Sequence, residues 1–164
     1  MNADTIHATA LVLDGAGVLI RGDSGSGKST LALLLLDRAA MMALPASLVG
    51  DDRIRLVRES DTLLARPHPA LRDGIEVRGL GLCRAVAGAD AAPLRLVVDL
   101  VARGSRLPEA PAPANLLGVS LPRLVLDRRL LRSGLAPRLV LDALTGTRGG
   151  RHTAILRLPG VDGP

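Results

Sequence analysis

The chain has 164 residues, the size of one domain with a single core, and 48% of them are apolar, yet none is Phe, Tyr or Trp. The absence of aromatic rings to stack on bases argues against RNA and single-stranded DNA modules built on aromatic platforms, and the +5 formal charge, almost wholly arginine, is compatible with an anionic partner or substrate. A single cysteine, Cys83, allows no internal disulfide, and no apolar run is long enough to cross a bilayer. The expectation is a cytoplasmic protein with neither membrane nor nucleic-acid partner. Heavy use of Ala, Arg, Leu, Gly and Pro reads as a GC-rich genome, which accounts for most of the arginines.

Along the chain, Thr5–Leu13 and Val18–Arg21 flank Asp14-Gly15-Ala16-Gly17 and predict a β-hairpin. The second strand feeds Gly22-Asp23-Ser24-Gly25-Ser26-Gly27-Lys28-Ser29, which fits G-x-x-x-x-G-K-[ST], and Lys28 is the only lysine in the protein. In such a loop, backbone N–H groups cradle phosphate oxygens, the lysine reaches the β- and γ-phosphates, and the Ser29 hydroxyl can ligate Mg²⁺. A helix from Ser29-Thr30 onward aims its positive dipole end at the anion and ends between Ala39 and Pro45. The nucleotide site is therefore predicted over Gly22–Thr30.

Ser47-Leu48-Val49-Gly50 reads as a buried strand running into Asp51-Asp52. The end of such a strand faces metal and γ-phosphate in phosphate-loop enzymes, with one carboxylate facing the site and its neighbour supporting structure or metal. Ile54–Val57 and Thr62–Leu64 predict a second hairpin, and Arg66-Pro67-His68-Pro69 a loop, because two prolines remove two ladder donors. Glu76 sits in a strand closed by Gly79 and Gly81. His7, among apolar neighbours in the first strand, reads by itself as a half-buried structural histidine; His68 and His152 read as incidental, and Cys83 as a small apolar side chain. Leu94–Val101 is a strand, Arg103–Ala114 an exposed loop, and Leu139–Leu144 either a strand or a helical turn. The fold class is α/β: a phosphate-loop kinase-like domain over 1–144 with a mixed central sheet, a hairpin before the loop and a helix after it. A Gly-rich tail, partly disordered, is expected over 145–164.

Taken in order, His7, the Gly22–Ser29 loop, Asp51-Asp52 and Glu76-Val77-Arg78-Gly79-Leu80-Gly81 resemble the catalytic domain of HPr kinase/phosphorylase. That bacterial family phosphorylates a serine on HPr, the phosphocarrier of the sugar phosphotransferase system, and also removes the phosphate. The resemblance spans about residues 5–110 and joins the loop to an E-[IV]-R-G-[LI]-G segment; the chain looks like the short alphaproteobacterial form without the N-terminal domain. It implies ATP on Lys28 and the loop amides, Mg²⁺ on Ser29 and Glu76 with Asp51 alongside, and Asp52 as the residue that accepts the serine proton. It further implies that His7 supports Asp52, that Arg106 stabilises charge on the transferring phosphoryl group, and that the assembly is a homohexamer. The segment used in dephosphorylation has Arg123 or Arg128-Arg129 as candidates. Ala39–Pro45 stands as an insertion, and Cys83 and Arg84 depart from the family pattern. Competing readings are a phosphate-loop nucleotide hydrolase and a non-catalytic nucleotide sensor.

Overall fold

The computed structural model describes residues 3–71, 74–85, 87–106, 108–148, 156, 158 and 159. β1 (Ala3–Leu13) and β2 (Ala16–Gly22) form the expected hairpin. Its turn is Asp14-Gly15, both with positive φ (45° and 78°), the backbone that lets a two-residue loop match the twist of the strands. β2 runs into the phosphate loop and then α1 (Lys28–Met41), as the motif predicted. β3 (Ala46–Gly50), β4 (Arg53–Glu59) and β5 (Thr62–Pro67) follow.

One expectation is corrected here. Arg66 and Pro67 belong to β5 rather than to a loop, with Ile54 opposite Pro67. β5 pairs on its other side only at Leu64 and Ala65, so the missing proline donor falls on a free edge, where a strand tolerates it. A small separate hairpin, β6 (Gly74–Val77) and β7 (Gly81–Arg84), carries the Glu76 segment. β8 (Ala92–Val101) is the long strand of the second half. β9 (Ala114–Leu116) and β10 (Val119–Leu121) form another hairpin, and β11 (Arg123–Asp127) leads into the short α2 (Arg128–Arg132) and α3 (Ala136–Arg148). Leu139–Leu144 is thus helical, and residues 145–148 complete α3 instead of starting the tail. The disorder expected of the tail lies outside the described residues.

The main sheet runs β11-β8-β2-β1-β4-β5, with β3 also on β1. β11, β8 and β2 are parallel and the rest antiparallel, so the sheet is mixed. β1 is long enough to serve two neighbourhoods. Ala3–His7 pairs with β4, and Ala8–Leu13 with β2. Contact between the start of β8 and β5 curls the sheet back on itself. Ala10, Leu19, Ile54, Leu56, Leu63 and Val97 fill the inside of the curl, with Ala114 and Leu121 from the β9–β10 hairpin. On the other face, α1 and α3 press Leu31, Leu35, Val140 and Leu141 against Val18, Ile20, Leu96 and Val98. Leucine, isoleucine, valine and alanine close both cores without an aromatic ring.

Asp99 ties the three parallel strands together at the level where β2 enters the loop. Arg21 Nε and Nη2 donate to its carboxylate at 2.7 and 2.8 Å, and Arg123 Nε donates at 2.6 Å. Burial works to raise the Asp99 pKa, but hydrogen bonds from the two guanidiniums outweigh it and hold the carboxyl below its ordinary value. A depressed carboxyl contributes stability above its unfolded pKa and loses it as pH falls through the folded one. Asp99→Asn is expected to cost about 2 kcal/mol of unfolding free energy near pH 7, a loss typical of hydrogen bonds to charged groups. Urea unfolding across pH checks this: the gap to wild type should shrink as pH drops below the usual carboxylate range.

Candidate functional site

The phosphate loop closes because three glycines take backbone that a side chain resists. Gly22, Gly25 and Gly27 have φ of 149°, 73° and 103°. A Cβ on Gly27 would collide with Leu131 of α2, and one on Gly22 would meet Leu100 O and Ser26 Oγ, each at 2.7 Å. α1 begins at Lys28, so its first N–H groups point into the loop. Ser24, Gly25, Gly27, Lys28, Ser29 and Thr30 line a cleft of about 330 Å³ together with His7, Asp51, Asp52, Glu76 and Arg78. Gly22 and Asp23 contribute differently: their carbonyls accept from Lys28 Nζ at 2.9 and 3.1 Å. Ser26 is turned inward and buried, and its Oγ has no hydrogen-bond partner among the described residues.

The two adjacent aspartates divide as the strand-end argument proposed. Asp51 is buried and collects three donors: Thr9 Oγ1 of β1 at 2.5 Å, Ser29 Oγ of α1 at 2.9 Å and the Glu76 backbone N–H of β6 at 3.2 Å. Asp52 turns outward in left-handed backbone (φ 67°), a region that Asp tolerates better than most residues. His7 Nδ1 hydrogen-bonds the Asp52 backbone carbonyl at 3.1 Å and lies 2.8 Å from Oδ1 of its carboxylate. The other ring nitrogen of His7 lies 2.9 Å from Lys28 Nζ. An ammonium can only donate, so Nε2 accepts and the proton of neutral His7 sits on Nδ1, facing Asp52. Lys28, His7 and Asp52 thereby form one hydrogen-bonded chain that runs from the phosphate loop to the Asp52 carbonyl and sets the exposed carboxylate beside the imidazole. Burial lowers the Lys28 pKa, and the attraction of Asp51, Asp52 and Asp23 only partly opposes it.

Glu76 points from the hairpin strand into the cleft, exposed, while its N–H holds Asp51. Arg106 is not brought to the cleft. It lines a separate, largely apolar cavity with Val101, Leu124, Leu130 and Leu139. The reason is local: Gly104 N–H donates to Asp127 and Arg129 Nη2 donates to the Gly104 carbonyl, so the loop after β8 is drawn toward the start of α2. Hydrogen bonds from Leu130, Arg129 and Gly104 N–H hold Asp127 below its ordinary pKa, against the upward push of burial.

Arg78 is the arginine at the cleft, its Nη2 3.2 Å from where a Gly25 Cβ would stand, and sequence reasoning gave it no role. The signal was present in the Glu76-led segment, two residues on, where Arg78 opens the turn between β6 and β7. Thr9 was missed as well, because a strand threonine carries no pattern of its own. Of the dephosphorylation candidates, Arg128 donates to the Gly25 carbonyl at 3.2 Å, whereas Arg123 is spent on Asp99 and Arg129 on Asp127. His68 accepts the Ala70 N–H and caps its own turn; Cys83 and Arg84 lie on β7; His152 lies outside the described residues.

The geometry agrees with what comparison finds. A family model for the HPr Serine kinase C-terminal domain matches residues 1–126. HPr kinase/phosphorylase of Azoarcus sp. (strain BH72) is 36% identical over 171 aligned positions, covering 96% of this chain and 50% of that protein. The Mycoplasma mycoides HPr kinase/phosphorylase is 39% identical over 101 positions, 58% of this chain and 30% of that protein. The chain thus spans about half the length, or less, of these relatives. The solved structure of the Hpr(Ser) kinase/phosphatase from Coxiella burnetii superposes with a TM-score of 0.66 at 29% identity, covering 85% of this chain and 97% of that one. With its loop, its paired aspartates and its Glu76 hairpin in place, this chain belongs to the HPr serine kinase C-terminal domain family.

Proposed function

We propose that the protein transfers the γ-phosphate of ATP to a serine of an HPr-type phosphocarrier, and that the same site runs the reverse dephosphorylation. The observation that carries this reading is the chain Lys28–His7–Asp52, which sets a carboxylate at the open side of a phosphate cleft. A hydrolase needs only a positioned water, whereas an exposed carboxylate in a forced backbone suits an acceptor hydroxyl that arrives from outside.

Mg²⁺ fits the donor set. Asp51, Ser29 and Glu76 are hard oxygen donors on one side of the cleft, and Mg²⁺ commonly takes one or two carboxylates and leaves the remaining positions to phosphates and water. Bound there with the nucleotide, it supplies neutralising charge to the phosphate oxygens. The protein's own residues do the rest. Lys28 exchanges the Gly22 and Asp23 carbonyls for phosphate oxygens, and the N-terminal amides of α1 hold the chain of phosphates. Asp52 orients the serine hydroxyl and takes its proton as the new O–P bond forms and the bond to the departing ADP breaks; His7, bonded through Nδ1 to the Asp52 carbonyl and close beside the carboxylate, holds the residue in place. The role that the resemblance gives Arg106 falls, on this geometry, to Arg78, whose guanidinium lines the cleft. For dephosphorylation, inorganic phosphate takes the place of the nucleotide: one of its oxygens bonds to the phosphoserine phosphorus, the serine O–P bond breaks, pyrophosphate leaves, and Asp52 returns a proton to the departing serine. The homohexamer, the short alphaproteobacterial form and the cytoplasmic setting belong to this reading through the resemblance, and none of the described helices is long and apolar enough to cross a membrane.

The test is phosphate transfer from Mg·ATP to the HPr-type protein of the same organism. Asp52→Asn, which keeps the left-handed tolerance of the position, should leave nucleotide affinity within about twofold and lower transfer about 10²–10⁴-fold, the usual contribution of a general base. Near-full transfer by this variant removes Asp52 from the role. Thr9→Val, equal in shape but lacking the donor to Asp51, should weaken Mg-nucleotide binding about tenfold, as loss of an outer partner of a ligating carboxylate does. Calorimetric titration with a non-hydrolysable ATP analogue reads it directly.

A further inference from the structure

On the outer face of the curled sheet, β1, β4 and β5 place a basic row next to Asp52. Antiparallel register sets Arg53 opposite His7, and Arg55 opposite Thr5 on one side and Arg66 on the other. Residues directly opposite one another share a face, so these arginines, Thr5 and His7 all lie on the solvent side. Arg66 is answered by Glu59 at 3.2 Å. No hydrogen bond or ion pair of the Arg53 or Arg55 guanidinium occurs among the described residues. Like charges directly opposed on neighbouring strands are destabilising, yet Arg55 and Arg66 hold that relation with no acid between them other than Glu59. Three arginines of the described structure are matched in this way: Arg21 and Arg123 to Asp99, and Arg138 to Asp142.

Position gives the row its meaning. Arg55 is three residues along the strand from Asp52, about 10 Å at the rise of an extended chain. A protein that docks specifically covers about 800 Å² on each partner, a patch of roughly 16 Å radius. Any protein that presents a serine to Asp52 therefore covers Arg53 and Arg55 unless it leans wholly to the other side. Covering an unpaired guanidinium removes its water, a loss recovered only where the partner brings an acceptor of opposite charge.

Resting on the kinase reading above, we propose that the outer face of β4 and β5, through Arg53, Arg55 and Arg66, is the docking surface for the acceptor protein, which presents carboxylates there beside its reactive serine. The row fixes register and approach, while the chemistry stays with Asp52 and the phosphate loop.

The experiment is steady-state transfer from Mg·ATP to the HPr-type acceptor by wild type, Arg55→Glu, Arg55→Gln and Arg95→Glu, at low and high salt. Arg95 is exposed on β8 and serves as the control for net charge. Arg55→Glu sets a carboxylate opposite Arg66, so the fold gains an ion pair and thermal unfolding should not fall. The expected result is a KM for the acceptor raised about tenfold or more in Arg55→Glu and less in Arg55→Gln, since removal of close charge pairs across an interface has effects of that size or larger. The KM for ATP stays unchanged, and the salt dependence of kcat/KM for the acceptor flattens. An unchanged acceptor KM, or an equal loss in Arg95→Glu, overturns the docking surface while leaving the kinase reading intact. No transfer by wild type overturns both.

Discussion

One buried carboxylate organises this molecule. Asp51 accepts from Thr9 on β1, Ser29 at the start of α1 and the Glu76 backbone on the β6–β7 hairpin, so three elements distant in sequence meet at a single side chain. A buried carboxylate left without donors carries a desolvation cost of several kcal/mol, and that cost sets the positions of all three. The phosphate loop cannot shift relative to the Glu76 hairpin without stranding Asp51. Its neighbour Asp52 is then forced outward, because consecutive residues leaving a strand point to opposite sides.

Two further consequences follow from the same junction. β1 must be long and must change partners midway, since its inner half carries Thr9 and its outer half carries His7. The left-handed backbone at Asp52 is a modest local strain, held because the Ala8 N–H bonds the Asp52 carbonyl and Arg53 starts β4 immediately afterwards. Strain of this kind pre-positions a carboxylate without asking a flexible loop to close around it.

Much of this was legible in the sequence, for reasons that differ by residue. Gly22, Gly25 and Gly27 announce the loop because backbone geometry admits few alternatives, and Lys28 stands out in a protein that otherwise uses arginine. The hairpin of β1 and β2 follows from Asp14-Gly15, whose turn is encoded in two residues. What escaped is whatever depends on long-range contact. Thr9 looks like any strand threonine until Asp51 is folded against it. Arg106 has the right distance along the chain from β8 but the wrong direction in space, because Gly104 is tied to Asp127 and Arg129. Pro67 argued for a loop until the neighbouring edge proved open at that position.

The central claim is that the loop lysine and the outward aspartate are one electrostatic unit joined through His7. Nitrogen-15 spectra of the imidazole test it most directly. In the nucleotide-free protein near neutral pH, His7 should carry its proton on Nδ1, with Nε2 as an acceptor, and the Nε2 shift should move when pyrophosphate draws Lys28 away. A proton on Nε2 in the nucleotide-free state, or an Nε2 shift indifferent to a phosphate ligand that demonstrably binds, would contradict the account.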